Sequence, residues 1–255
     1  ARMTEYIQLQ SDMFNAYFNG KTLEDAVHLI AGSLTCEAAA ADEQEQILFQ
    51  SGGYSQQTNA YPIKINDQRM GLLLLQMKQD VPDDMEDIVQ QYITYPLALW
   101  FNRQQVEQQL QLRLKNDFAL RLSKEEYSDA LIREAGRLGI DLDKRYCAVH
   151  VIPQIGEEQY RMLALRTGEL ISAALTLGEE RSLAVIAGEE MGRFTFFVEA
   201  PLSGSAHTDR FLELWMEQTA QTLPQTSYFA GISQPFDGMT GFSEGYREAV
   251  IAASY

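Results

Sequence analysis

The stretch LAVIAGEEMGRFTFFVEA, residues 183–200, decides the fold of the second half of the chain. Two apolar, strand-like runs flank the polar segment EEMG, which contains a glycine. Apolar runs separated by a few polar residues with glycine are typical of a β-hairpin. The sequence therefore predicts two antiparallel strands joined by a turn.

The runs on either side of this hairpin predict the rest of a domain spanning residues 124–255. Residues 146–152 read as a strand and residues 157–175 as a helix. After the hairpin come a helix, a strand at residues 227–233 and a last helix. The order β-α-β-β-α-β-α predicts a ferredoxin-like α+β domain, with helices on one face of an antiparallel sheet.

Residues 1–95 predict a separate α+β domain. Residues 4–19 and 22–34 have the apolar periodicity of two amphipathic helices. Four short apolar runs with turn residues between them follow. This pattern predicts two helices leading into a sheet of about four antiparallel strands.

A connecting helix is predicted over residues 96–123, with Pro96 expected to kink or restart it. Four apolar residues recur every four positions on a surface otherwise rich in glutamine: Val106, Leu110, Leu114 and Phe118. Such a stripe favours pairing with a second copy, in a homodimer. The alternative is that the stripe packs on its own domain, since it is too short for a long coiled coil.

Composition restricts the partners of the chain. Residues 1–120 carry 8 basic and 16 acidic residues and residues 121–255 carry 12 and 20, so each half contributes −8 to a net charge of −16. Neither half offers the basic surface that nucleic-acid phosphates or an anionic membrane require. The longest apolar run, MGLLLLQM, is too short to span a bilayer. Cys36 and Cys147 lie in apolar, strand-like surroundings, which is consistent with buried thiols in a reducing cytoplasm.

The sequence predicts no catalytic residue, metal site or cofactor. Residues 241–245, GFSEG, fit the G-x-S-x-G pattern of the hydrolase nucleophile. However, Ser243 lies eleven residues past the preceding strand-like run, and neither Asp nor His follows it to complete a triad. The three histidines lack the spacing of a metal site. They are His28, His150 and His207.

Several segments resemble parts of the purine catabolism and carbohydrate diacid regulator families of bacterial transcription factors. In the second domain the resemblance rests on ALIREAGRLGIDLDKRYCAVHV, on the hairpin VIAGEEMGRFTFFV and on YFAGISQPFDGMTGFSEGYREAVIAASY. Upstream, NGKTLEDAVHLIAGSLTCEAAAADEQEQILFQSG is similar to the entry into a GAF-like sensor, and LRLKNDFALRLS to the junction between the two domains. Together these segments span nearly the whole chain.

The resemblance implies a degenerate GGDEF-like domain without enzyme activity. An active diguanylate cyclase carries Gly-Gly-Asp/Glu-Glu-Phe in this hairpin, with metal-binding acids there and on the first strand. With Phe194 aligned, the two acidic positions are Gly192 and Arg193, and the first strand, CAVHVIP, has no carboxylate. Phosphoryl transfer needs metal ions to neutralise developing charge, so we expect no cyclase activity.

The resemblance also implies a regulator whose DNA contacts come from a helix-turn-helix segment after residue 255. Its GAF-like domain, residues 1–95, would bind a small-molecule effector, and residues 96–123 would pass the signal on. Aromatic residues with polar tips suit the walls of such a pocket, and the candidates are Phe49, Tyr54 and Tyr61. The alternative for each is ordinary packing.

Two other functions are also compatible with the sequence. Both domains could be ligand-free adaptors that oligomerise a regulator and respond to a protein partner. The sensor could instead serve a different output, such as an AraC-type DNA-binding domain.

Overall fold

The computed structural model describes residues 2–53, 58–77, 85–125, 128–201 and 206–254. The chain forms two compact units, Ala1–Gln108 and Gln109–Tyr255. Both combine helices with antiparallel sheets, so the predicted α+β class is confirmed.

The first unit begins with two helices and a four-stranded sheet, as predicted. These elements are α1 (Arg2–Phe18), α2 (Leu23–Leu34), β1 (Glu37–Ala41), β2 (Ile47–Gln50), β3 (Asn59–Ile65) and β4 (Gln68–Gln76). Helix α2 begins at a capping box, in which Thr22 and Asp25 satisfy each other's backbone N–H groups. The sheet has the order β2-β1-β4-β3, and every neighbouring pair is antiparallel.

One face of this sheet forms the core of the first unit. Register places Phe49, Ala40, Leu73 and Tyr61 in a single row across the four strands, and residues paired in this way point to the same face. These side chains pack with residues of α1, α2 and the start of α4. The start of α4 contacts β4 through the Phe101 ring. Glycine at position 71 permits this contact, because a Cβ there would lie 2.6 Å from that ring.

The predicted connecting helix is part of a longer helical segment. Helix α3 (Met85–Val89) leads into a π-helical turn (Gln90–Thr94) and then into α4 (Tyr95–Lys124), which begins in the first unit and ends in the second. Pro96 lies in the first turn of α4. The expected interruption is therefore a π-helical turn rather than a break in the helix.

The second unit contains the part of α4 from Gln109 onward, and further elements follow it among the described residues. In chain order they are α5 (Asp129–Leu138), β5 (Arg145–Gln154), α6 (Glu157–Glu180), β6 (Val185–Glu190), β7 (Arg193–Glu199), α7 (Ala206–Thr222), β8 (Ser227–Ile232), β9 (Phe236–Asp237) and α8 (Gly238–Ala252). The sheet order β6-β7-β5-β8 and the chain order from β5 to β8 confirm the predicted βαββαβ arrangement.

The prediction that helices cover only one face of this sheet is wrong. Val149 and Val151 pack with α6 and α7 on one face. Tyr146 and Ala148 pack on the opposite face with α4, α5 and α8. Strand β5 is apolar on both sides, and a strand with that pattern is stable only when both of its faces are covered.

Helix α8 lies so close to β8 that only glycine fits at position 231. A Cβ on Gly231 would lie 2.0 Å from the carbonyl oxygen of Ala249 and 2.3 Å from the amide nitrogen of Ala253. Both are backbone atoms, one in α8 and one in the residue that follows it, so the end of the helix would have to move.

We therefore expect Gly231→Ala to destabilise the second unit by about 3 kcal/mol or more, the upper range for overpacking. The control is Gly168→Ala in α6, where a Cβ would meet nothing within 4 Å. That change should stabilise the chain by up to about 1 kcal/mol, because alanine favours a helix. Urea unfolding of the two variants measures both effects, and an unchanged midpoint for Gly231→Ala would show that α8 is not packed this tightly.

Candidate functional site

The β6–β7 hairpin, where an active cyclase would carry its metal-binding acids, is a tight two-residue turn. Met191 and Gly192 occupy the turn with φ of 53° and 77°. Positive φ at both central positions matches the right-handed twist of the flanking strands. The Gly192 amide donates a hydrogen bond to the Glu189 carboxylate, so one of the hairpin's two acids is bonded within the turn itself.

The other acid of the hairpin pairs with helix α4. The Lys124 ammonium lies 2.6 Å from both carboxylate oxygens of Glu190. The Glu189 amide donates to the side-chain oxygen of Asn116, also on α4, at 2.7 Å. In chemical terms, Asn116 satisfies a backbone N–H that the sheet edge leaves unpaired.

Helix α4 also packs directly on the backbone of β6. A Cβ on Gly188 would lie 2.9 Å from the Ala119 methyl carbon and 3.2 Å from the Asn116 carbonyl oxygen. The neighbouring Phe118 is fully buried in the core that α4 shares with α5, α8 and the sheet. Packing and polar contacts thus hold the hairpin and this part of α4 together.

The positions that hold the metal-binding acids in an active cyclase carry other residues in this chain. The two residues before Phe194 are Gly192 and Arg193, and strand β5 carries no Asp or Glu. Among the residues that the structure describes, no three His, Cys, Asp or Glu side chains are grouped to hold a metal ion. Ser243 lies in the second turn of α8, away from a strand-to-helix elbow.

A buried histidine lies on the face of β5 that packs with α4, α5 and α8. His150, on the central strand β5, is 3% exposed and meets the Tyr246 ring edge to face at 5.5 Å between centroids. No described residue provides a hydrogen-bond partner for its Nδ1. Burial lowers the pKa of the imidazole below its ordinary value, and the positive charge of Arg193 lowers it further.

The structure does not bring the three predicted pocket residues together. Phe49 and Tyr61 point to the same face of the first sheet, but they lie on its two outer strands, about 14 Å apart at the usual strand spacing. Tyr61 is buried in the core, and this burial raises the pKa of its hydroxyl, with Glu86 adding to the shift. Tyr54 lies outside the described residues.

Three of the four residues of the predicted helix stripe are exposed. The exposed fractions are 55% for Val106, 53% for Leu110 and 41% for Leu114. Including Phe118 was wrong, because it is fully buried. At 100° per residue, Phe118 is rotated 120° from Val106, onto the face that packs in the second unit.

A groove in the first unit was not anticipated from the sequence. It has a volume of about 280 Å³, an apolar floor that includes Met70 and Phe101, and polar walls that include Asp42, Gln104 and Gln108. The wall residues come from the β1–β2 turn and from α4, which are about sixty residues apart. Only folding reveals that they meet.

The contact between Asn116 and the hairpin can be tested by a conservative pair of variants. We expect Asn116→Ala to cost about 1 kcal/mol of stability, because it leaves the Glu189 amide without its acceptor. Asn116→Asp keeps an acceptor oxygen and should recover most of that loss. Hydrogen exchange at the Glu189 amide should accelerate in the first variant only, and equal exchange in both would contradict the contact.

Burial of His150 predicts a stability that falls in mild acid. The folded state holds a lowered pKa, so the unfolded chain binds the proton more readily below its ordinary pKa of about 6.5. The contribution of His150 to the free energy of unfolding is therefore fully present above about pH 6.5. It is lost as the pH falls towards the folded pKa, at no more than about 1.4 kcal/mol per pH unit. Urea midpoints at about pH 7.5 and 5.5 should differ less in His150→Phe than in the parent, whereas the exposed control His207→Asn should keep the parent's difference.

Comparison with known proteins places the second unit in a family. The family model described as a GGDEF-like domain matches residues 123–255, which include the hairpin, strand β5 and α8. A comparison with curated proteins finds no match. No helix among the described residues is both long and apolar enough to cross a membrane. The chain belongs to the GGDEF-like domain family.

Proposed function

We propose that this chain is the effector-sensing and dimerising part of a bacterial transcription regulator, in which the GGDEF-like domain transmits a signal without catalysing a reaction. The observation that carries the proposal is the state of the hairpin. Its two acids are engaged by the turn and by Lys124, and Gly192 and Arg193 stand where the acids of an active cyclase would be.

Helix α4 is suited to carry the signal. It is a single helix of 30 residues that begins in the first unit and is bound to the hairpin of the second through Asn116 and Lys124. A shift or rotation of α4 would therefore reach the hairpin through defined contacts. Ligand binding acts on such a system only if the two positions of the helix differ in ligand affinity.

The effector is proposed to bind the first unit, in the groove beside α4. Tyr61 is buried in the core of this unit and Phe49 is half-buried against it, whereas the groove also presents polar side chains of α4. The groove combines an apolar floor with amide and carboxylate groups, a lining that suits a small polar metabolite. Because Phe101, Gln104 and Gln108 belong to α4, a ligand here would contact the transmitting helix directly.

DNA binding is proposed to depend on another segment. The net charge of −16 is divided equally between the two halves of the chain, so neither supplies the positive surface that phosphates require. A helix-turn-helix following residue 255 would supply it. The cytoplasm is the proposed location, in agreement with the buried Cys36 and Cys147.

Two measurements on the purified chain test this proposal. We expect no release of pyrophosphate from GTP with Mg²⁺ or Mn²⁺, because the acids that would hold the metal are replaced. We expect a thermal-shift screen of small polar metabolites to find a ligand that raises the melting temperature. Gln104→Ala should reduce that shift, whereas Gln111→Ala, an exposed control on the same helix, should not.

Each alternative predicts a different result. Turnover of GTP would overturn the non-catalytic role of the GGDEF-like domain. Stabilisation that survives Gln104→Ala but is lost in Tyr61→Phe would move the ligand to the sheet. If no metabolite raises the melting temperature, the result would favour a ligand-free adaptor that responds to a protein partner.

A further inference from the structure

The exposed face of α4 has a symmetric arrangement of side chains about Leu110. Val106 and Leu114 lie four residues on either side of it, and all three are exposed. Arg103 and Asp117 lie seven residues on either side, and both are exposed. The apolar centre is therefore flanked by a positive charge at one end and a negative charge at the other.

A second pair of charges follows the same symmetry. Glu107 and Arg113 lie three residues on either side of Leu110 and carry opposite charges. All these residues belong to one continuous helix, so their spacing follows from helix geometry alone, at 1.5 Å per residue.

This pattern distinguishes between the two ways of pairing α4 with a second copy. In a parallel pair in register, each residue lies level with itself, so Arg103, Arg113 and Asp117 each face a like charge. In an antiparallel pair centred on Leu110, Arg103 lies level with Asp117 of the second copy. Leu110 then meets its own counterpart, and Val106 lies level with Leu114.

We propose that two copies of this chain associate through an antiparallel pair of α4 helices, with the two-fold axis at Leu110. The inference rests on the homodimer of the proposed function and adds its orientation and register. A two-fold interface uses the same surface on both copies. In the antiparallel pair, each charge on the exposed face of α4 lies level with a charge of the opposite sign, so this surface can pair with a second copy of itself. Opposite charges at the ends then fix the register, while the three apolar residues form the centre.

Charge reversal tests the orientation. In the antiparallel pair, Arg103→Glu places an acid level with Asp117 of the second copy, and it does so at both ends of the interface. We expect this to weaken dimerisation on the order of tenfold. Asp117→Arg alone should have a similar effect. The double variant Arg103→Glu/Asp117→Arg restores opposite charges, so its dissociation constant should return to within about threefold of the parent's. Sedimentation equilibrium at low salt measures all four proteins.

The matched control is Arg161→Glu on α6. Arg103 forms an i,i+4 ion pair with Glu107, and Arg161 forms one with Glu157. Both reversals therefore change the net charge equally and remove a similar local pair. Only the reversal on α4 should affect association.

Cysteine cross-linking gives an independent readout. Leu110→Cys should form a disulfide-linked dimer under oxidation, and so should the double variant Arg103→Cys/Asp117→Cys. Arg103→Cys alone should not, because fourteen residues, about 21 Å, separate the two copies of position 103 in the antiparallel pair.

The outcomes separate this inference from the function on which it rests. A chain that is monomeric at every concentration removes the homodimer itself. A dimer in which Arg103→Cys cross-links, or in which the double charge reversal gives no recovery, overturns the antiparallel register and leaves dimerisation standing. A dimer that tolerates Arg103→Glu as well as Arg161→Glu places the interface elsewhere.

Discussion

The contact of helix α4 with strand β6 at Gly188 is the constraint on which the second unit depends. At this position a methyl group would collide with Ala119, so the helix lies directly on the strand backbone. The close approach brings Asn116 within hydrogen-bonding distance of the Glu189 amide. It also buries Phe118 in a core shared with α5 and α8. Interiors packed this closely transmit displacement instead of absorbing it, which is why a movement of α4 would reach the hairpin.

The fold of the hairpin does not depend on acids at positions 192 and 193. Turn geometry, strand pairing and aromatic packing around Phe194 do not need the metal-binding acids. Gly192 suits the left-handed backbone conformation of the turn, and Glu190 has become the partner of Lys124. The ion pair is half exposed and contributes at most about 1 kcal/mol, so its importance lies in position more than in stability. Function in such a domain must be argued from the site, since the fold alone does not specify it.

Helix α4 presents two different faces, and each suits a different task. Phe101 is buried in the first unit and Phe118 in the second, and at 100° per residue the two side chains are about 100° apart around the helix. Between them, the side chain of Leu110 stays exposed. A helix with buried and exposed side chains along its length can support both signal transmission and assembly, which connects the proposed regulation to a dimer.

The sequence by itself determined the α+β class, the βαββαβ order and the absence of acids from β5 and the turn, because apolar periodicity and residue identity are local properties. It could not place Phe118, since the four-residue spacing drifts about 40° per step and crosses from the exposed face to the buried one. It missed the helices on both faces of the second sheet, although the unbroken apolar run of β5 was a signal for them. The tertiary structure alone decided that Asn116 and Lys124 meet the hairpin some seventy residues away, and that Asp42 and Gln104 share a groove. Contacts between residues so far apart depend on how elements pack, and no local pattern encodes that packing.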